Sequence, residues 1–174
     1  EIHYARNVMK TNTTTVQTFV SINRGPAGVV NTGKIQWFEP MDRKVGPATG
    51  FSVDALDKLP RVDVIYAHAN MSADLIDAAI KNGAKGLVIA GVGDGNMTTP
   101  ALDAVTRAAK SGIVVVRSTR LASGITLRNN EVNDDEKGLV ASGELNPAKS
   151  RVLLQLALTK TNDPVQIQRM FYEY

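Results

Sequence analysis

Hydrophobic residues are distributed in two regimes along this chain. After Pro60 they form short apolar runs of strand type, separated by stretches in which apolar positions recur at helical spacing. Val62 to Tyr66, Gly86 to Ala90 and Ile113 to Val116 read as strands. Between the first two, Ser72 caps a helix that carries Leu75, Ile76, Ala79 and Ile80 and is closed by Gly83. Between the second and third, Thr98-Thr99-Pro100 opens a helix bearing Leu102, Val105 and Ala109, which Gly112 stops. This alternation predicts a βαβαβ unit with right-handed crossovers, a small doubly wound α/β domain on a parallel sheet. Two more helices end the chain, from Pro147 to about Thr161 and from Pro164 to about Tyr172, each announced by an Asx-Pro start.

Before Pro60 the pattern is different. Short β-prone runs lie around Arg6 to Met9, Val16 to Ile22, Gly28 to Val30 and Lys34 to Phe38, with Asn31-Thr32-Gly33 as a turn between the last two. Residues 1–38 contain at least one hairpin, yet they have few apolar positions and no helix to cover them. Such strands alone bury too little surface to offset the ordering of their backbone, so they belong to a core completed from elsewhere. Residues 39–60, with Pro40, Gly46, Pro47 and Gly50 among charges, read as a linker whose end Phe51, Val53 and Leu56 anchor. Residues 61–174 are then the regular α/β domain.

Composition narrows the function classes. Of 174 residues, 43% are hydrophobic and 21% charged, as in an ordinary globular protein. The net charge of +3, from 20 basic and 17 acidic residues without long runs, does not describe a nucleic-acid groove. The absence of cysteine excludes disulfides, thiolate zinc sites and a cysteine nucleophile. No apolar run approaches the roughly 20 residues of a bilayer span. The start Glu1-Ile2-His3-Tyr4 is neither a methionine nor a signal peptide, which is expected of a mature, cut or incomplete front.

The richest stretch chemically is Leu87 to Pro100, a strand that breaks into Gly91-Val92-Gly93-Asp94-Gly95-Asn96 before a helix start. In an open parallel sheet, ligands sit beyond the carboxyl ends of the strands, which makes Asn96 a candidate. The run lacks the third glycine of a dinucleotide fingerprint, since Asn96 takes that place; a plain tight turn is the competing reading. Glu131 lies in the long excursion of residues 117–147, in a loop leaving the same sheet edge. A carboxylate and a carboxamide there suit a ligand ammonium, although a solvated loop carboxylate is the commoner case. Arg117 and Arg120 flank Ser118-Thr119 and fit either an anion or local carboxylates. His3 and His68 have no second ligand at metal spacing, so a metal site is not expected. Lys10, in Val8-Met9-Lys10-Thr11-Asn12, reads as an edge-strand charge unless it serves as a base beside a hydroxyl nucleophile.

Together, Val8-Met9-Lys10-Thr11-Asn12-Thr13-Thr14, Ala90 to Asn96, Val116-Arg117-Ser118-Thr119-Arg120, Gly138 to Gly143 and Leu145 to Leu154 resemble the bacterial type II L-asparaginases over essentially the whole chain. The resemblance covers only the back half of such an enzyme. It implies a Rossmann-like C-terminal domain preceded by the β-rich end of a larger N-terminal α/β domain, which carries the threonine nucleophile. It implies a catalytic role for Lys10 and binding of the substrate's amino end by Asn96 and Glu131, lent to a neighbouring subunit. Asparagine at position 96, where some relatives with strong glutaminase activity carry serine, implies preference for L-asparagine over L-glutamine. The implied protein is a periplasmic or secreted homotetramer of intimate dimers, with no cofactor and no membrane or nucleic-acid partner. This chain by itself, lacking the nucleophile, is expected to be inactive.

Two rivals stand beside that reading. A non-enzymatic amino-acid-binding sensor of α/β type would keep Asn96 and Glu131 but need no Lys10. A dinucleotide enzyme would use the glycine run instead.

Overall fold

The computed structural model describes residues 1–38, 40 and 42–174; Glu39 and Met41, at the start of the expected linker, lie outside the described residues. The chain divides into two compact units. The first comprises Glu1–Arg43 with Ala122–Gly124, and the second Lys44–Leu121 with Ile125–Tyr174.

The first unit contains two antiparallel hairpins. Strand β1 (Met9–Lys10) pairs with β2 (Phe19–Val20), and β3 (Gly28–Asn31) pairs with β4 (Lys34–Trp37). Asn31 faces Lys34 across a two-residue turn of Thr32 and Gly33, both with positive φ, which matches the twist of the flanking strands. The expected first strand is shorter than its pattern: residues 5–7 form a turn in which the Tyr4 carbonyl accepts from the N–H groups of Asn7 and Val8. Asn12 shapes the β1–β2 loop by accepting from the N–H groups of Thr14 and Thr15 at 2.9 and 3.0 Å. Asn23 and Gly124 exchange two hydrogen bonds, each of 2.9 Å.

The second unit is a parallel sheet of four strands in the order β5 (Val62–Tyr66), β6 (Gly86–Gly91), β7 (Val114–Thr119) and β8 (Val140–Ala141). Helices α1 (Asp74–Lys81) and α2 (Thr99–Lys110) cross between the first three strands, and the short α3 (Asp134–Lys137) precedes β8. Helices α4 (Pro147–Ala157) and α5 (Pro164–Glu173) follow. Side chains alternate across the strands. Ile65, Leu87, Ile89 and Val115 pack with Ile76 and Val105 from α1 and α2. Val62, Val88, Val114, Val116 and Val140 pack on the other face with Leu154, Ile167 and Phe171 from α4 and α5. The result is a three-layer α/β/α domain. Its strand order never reverses, and the second helical layer is supplied by the two terminal helices.

The last two helix starts follow the sequence signals: Asn146 accepts from the Lys149 N–H and Asp163 from the Val165 N–H. On α1 the cap position is Ala73, which caps with no side chain; the expected cap, Ser72, lies one residue further out, its Oγ accepting from the Asp74 N–H at 3.3 Å. Helix α4 stops at Ala157, earlier than the pattern to Thr161 suggests, and residues 158–160 continue as turn. On α2 the inward face is Ala101, Ala104, Val105 and Ala108, one position round from the expected stripe, because small alanines approach the sheet more closely than Leu102 can. Leu75 on α1 is exposed rather than in the core.

Three further features depart from expectation. Strand β7 continues through Arg117 to Thr119, past the end of the apolar run. A fourth strand, β8, lies inside the excursion that the sequence marks as loop. Of the expected linker anchors only Phe51 is packed, edge-on to Tyr174 with ring centroids 5.1 Å apart, while Val53 and Leu56 are exposed.

Beyond β8 the sheet is closed by a side chain. The outward N–H of Ala141 donates to Gln168 Oε1 at 2.8 Å, and its carbonyl accepts from Gln168 Nε2 at 3.1 Å. Among the described residues no helix is long and apolar enough to cross a membrane.

Candidate functional site

The carboxyl end of β6 runs directly into a tight hairpin. Val92 and Asn96 exchange two backbone hydrogen bonds of 2.7 Å around Gly93, Asp94 and Gly95. The glycines are required here by space as well as by angle. A Cβ on Gly91 would lie 2.4 Å from the Gly95 carbonyl carbon, and Gly95 itself has φ +74° with Thr126 and Arg117 against it. The hairpin consumes its own N–H groups at Val92 and Asn96 instead of presenting them to a phosphate. It fits the tight-turn reading better than the dinucleotide one.

The turn delivers Asn96, half-buried, to the sheet edge. Its Nδ2 donates to Glu131 Oε2 at 3.2 Å, while its Oδ1 accepts from the Met97 N–H at 2.8 Å. These two sequence candidates, 35 residues apart, are thus brought together. The amide oxygen is occupied by backbone, so the two groups do not serve a ligand equally. The exposed carboxylate is the acceptor an ammonium group would meet, and the carboxamide holds it in place.

Below this pair sits a group that sequence reasoning placed wrongly. Arg117, expected in a loop, is a strand residue with 0% exposure. Its Nε and Nη2 donate to the two carboxylate oxygens of Asp134 at 2.6 and 2.7 Å. Asp134 is equally buried. Nη1 donates to the Asp94 carbonyl at 2.8 Å and Nη2 to the Leu127 carbonyl at 3.1 Å. The guanidinium is fully engaged within the protein, and the anion-binding option for Arg117 is overturned. Arg120 donates to the Ala67 carbonyl at 2.6 Å and lies over the Tyr66 ring. The signal that could have revealed Arg117 is a charged residue directly following Val114-Val115-Val116, since an arginine inside a buried strand needs a buried partner.

The loop bearing Glu131 is fixed at its outer end too. Arg128 pairs with Asp135 and donates to Gln168 Oε1 at 2.7 Å, and Asn129 Nδ2 donates to Asp135 at 2.5 Å. The Asn129 amide first, and then the Arg128 guanidinium, hold the Asp135 carboxyl below its ordinary range. Asn129 adopts φ 56°, a conformation asparagine tolerates.

Lys10 lies in the first unit, exposed at the end of β1, and with Thr11, Asn12 and Thr13 it lines an open cavity of about 400 Å³. His3 Nδ1 sits 2.9 Å from Ser21 Oγ, and His68 Nδ1 sits 2.8 Å from the Ala69 carbonyl.

The model for the glutaminase/asparaginase C-terminal domain matches residues 61–171. The chain is 47% identical over 174 residues to the probable periplasmic L-asparaginase of Haemophilus influenzae, covering 100% of this chain and 50% of that protein. It is 48% identical over 169 residues to L-asparaginase 2 of Escherichia coli, covering 97% of this chain and 49% of the relative. Against the glutaminase-asparaginase of Acinetobacter glutaminasificans it is 39% identical over 176 residues, covering 99% and 53%. The chain spans about half the length of the curated relatives it matches.

Proposed function

The chain belongs to the glutaminase/asparaginase family, and from that premise we propose that it is the C-terminal portion of an L-asparaginase. The enzyme hydrolyses L-asparagine to L-aspartate and ammonia and takes L-glutamine more weakly. The observation that carries this reading is the Asn96–Glu131 contact of 3.2 Å at the carboxyl edge of the sheet, where a held carboxylate can receive a substrate ammonium.

In this reading residues 1–38 complete an N-terminal catalytic domain, residues 39–60 connect, and residues 61–174 form the C-terminal domain. Val30, Ile35, Trp37 and Phe38 are each more than half exposed, which supports a first unit whose apolar side chains are covered by the N-terminal half. That half supplies a threonine hydroxyl, and Lys10 assists removal of its proton. The hydroxyl oxygen attacks the side-chain amide carbon, the C–N bond breaks, and nitrogen leaves with a proton as ammonia. Water then cleaves the ester, releasing L-aspartate and restoring the hydroxyl. Asn96 and Glu131 bind the substrate's amino end in the site of a neighbouring subunit, within a homotetramer of intimate dimers. The periplasm or the cell exterior is the compartment we assign, by likeness to the relative named periplasmic.

Ammonia release from L-asparagine and L-glutamine, measured on the full-length enzyme together with its intact mass, tests this reading. Release favouring asparagine is the expected result. Amino-acid binding with no release would return the protein to the sensor reading, which the enzyme names of the relatives do not favour.

A further inference from the structure

Asn96 and Glu131 are carried on two separate loops, and nothing in their own contact of 3.2 Å explains why the loops keep their spacing. A glutamate side chain has freedom to swing, and loop tips are the more mobile parts of a fold. The spacing is set one layer deeper. From below, the buried Arg117 donates to the Asp94 carbonyl in the hairpin and, from the same planar group, to the Leu127 carbonyl and the Asp134 carboxylate in the Glu131 loop. From above, the Asp94 carboxylate accepts from the Leu127 N–H at 2.6 Å and from Asn130 Nδ2 at 2.7 Å. Thr126 and Gly143 close the base of that loop with two backbone bonds of 3.0 and 3.2 Å.

We propose that Arg117 and Asp94 are positioning residues that lock the hairpin of Asn96 to the loop of Glu131, and so determine how strongly the site recognises an α-ammonium group. The inference rests on the reading of Glu131 as the ammonium acceptor. A planar guanidinium serves this purpose and an ammonium does not, because its donors leave in fixed directions from one plane and bind both loops in a single geometry. Arg117 is too deep to touch a ligand, with 0% exposure, so its effect passes through Glu131.

The test compares two substrates on the full-length enzyme: L-asparagine, and succinamic acid, which is the same amide without the α-amino group. The readout is the ratio of their kcat/KM values. A charge-assisted hydrogen bond to the ammonium corresponds to about tenfold or more in that ratio. R117K and D94N are expected to lower the ratio by about tenfold, mostly through the KM for asparagine, while succinamic acid is affected much less. D94N alters only a half-buried loop carboxylate and keeps the experiment decisive if R117K does not fold. A parallel fall for both substrates, leaving the ratio unchanged, would mean that Arg117 and Asp94 merely maintain the fold and would overturn the proposal. E131Q separates the layers of the argument. If E131Q collapses the ratio and D94N does not, the positioning role alone is wrong; if E131Q leaves the ratio intact, the ammonium reading fails and takes the proposal with it. In the double variant D94N/E131Q the ratio should be no lower than in E131Q, as two residues acting through one contact require.

Discussion

Arg117 and Asp134, 17 residues apart in sequence, meet in a two-bond ion pair with neither side chain exposed. Removing one member of such a pair strands the other charge in the interior, at a cost of about 3–5 kcal/mol. Asp134→Ala is therefore expected to destabilise the full-length enzyme by that amount. Replacing both residues, as Arg117→Met with Asp134→Leu, should recover only part of the loss, because the Asp94 and Leu127 carbonyls then lose their donor. Urea unfolding measures both. A cost for Asp134→Ala below about 1 kcal/mol would show that water reaches the pair.

Two glycines on β6 distinguish hard from soft crowding. At Gly91 a new methyl would strike backbone, the carbonyl carbon of Gly95 at 2.4 Å, and backbone cannot turn aside. At Gly86 the nearest atoms are Leu154 Cδ2 at 2.8 Å and Leu158 Cδ1 at 3.0 Å, both at the ends of rotatable side chains. Gly91→Ala should cost about 1–3 kcal/mol or more, with Gly86→Ala clearly milder. Equal unfolding midpoints for the two variants would contradict this.

Acid should loosen the Glu131 loop through Asp135. Its carboxyl is held below the ordinary range by Asn129 and Arg128, so its folded form binds a proton less readily than its unfolded form. The stabilisation is present above the unfolded value of about 3.9 and is lost as pH falls through the lowered folded value. The stability lost between about pH 6 and pH 3 should accordingly be smaller in Asp135→Asn than in the parent. Identical losses would remove Asp135 from the account.

Lys10 is exposed on a two-residue strand, and substituting it should change stability by no more than about 0.5 kcal/mol. In the full-length enzyme, Lys10→Met is expected to abolish most turnover while leaving the affinity for L-aspartate within a factor of a few. Calorimetric titration with L-aspartate beside an ammonia assay separates the two effects. Unchanged turnover would exclude Lys10 from the proton transfer.

The regular part of the domain was legible because its signals are dense. Val62 to Tyr66 is a short β-prone apolar run bounded by Pro60 and the helix that follows, and it matches the observed strand ends, while Asn146-Pro147 and Asp163-Pro164 mark helix starts that the structure keeps. The α2 face was displaced because alanine carries little hydrophobic weight, yet Ala101, Ala104 and Ala108 form the contact. Strand β8 is two residues long, too short to show any period. Asn96 and Glu131 could be suspected from their positions at one sheet edge, but that the Met97 N–H takes the amide oxygen and leaves the Glu131 carboxylate as the open acceptor is visible only in the structure. For Arg117 the pairing with a local carboxylate was legible, but its depth was not: a charge after three valines reads as the end of a strand, and only the buried Asp134 reveals it as interior.

The amide of Gln168 imitates a peptide group of a further strand, one donor and one acceptor presented at the right spacing to Ala141. A sheet closed by a side chain on α5 is closed only when that helix has docked. The far edge is thus finished by a residue of the terminal helix, and trimming the chain back past position 168 would do more than shorten a helix. It would reopen a template for strand pairing, turning a terminal deletion into an association hazard.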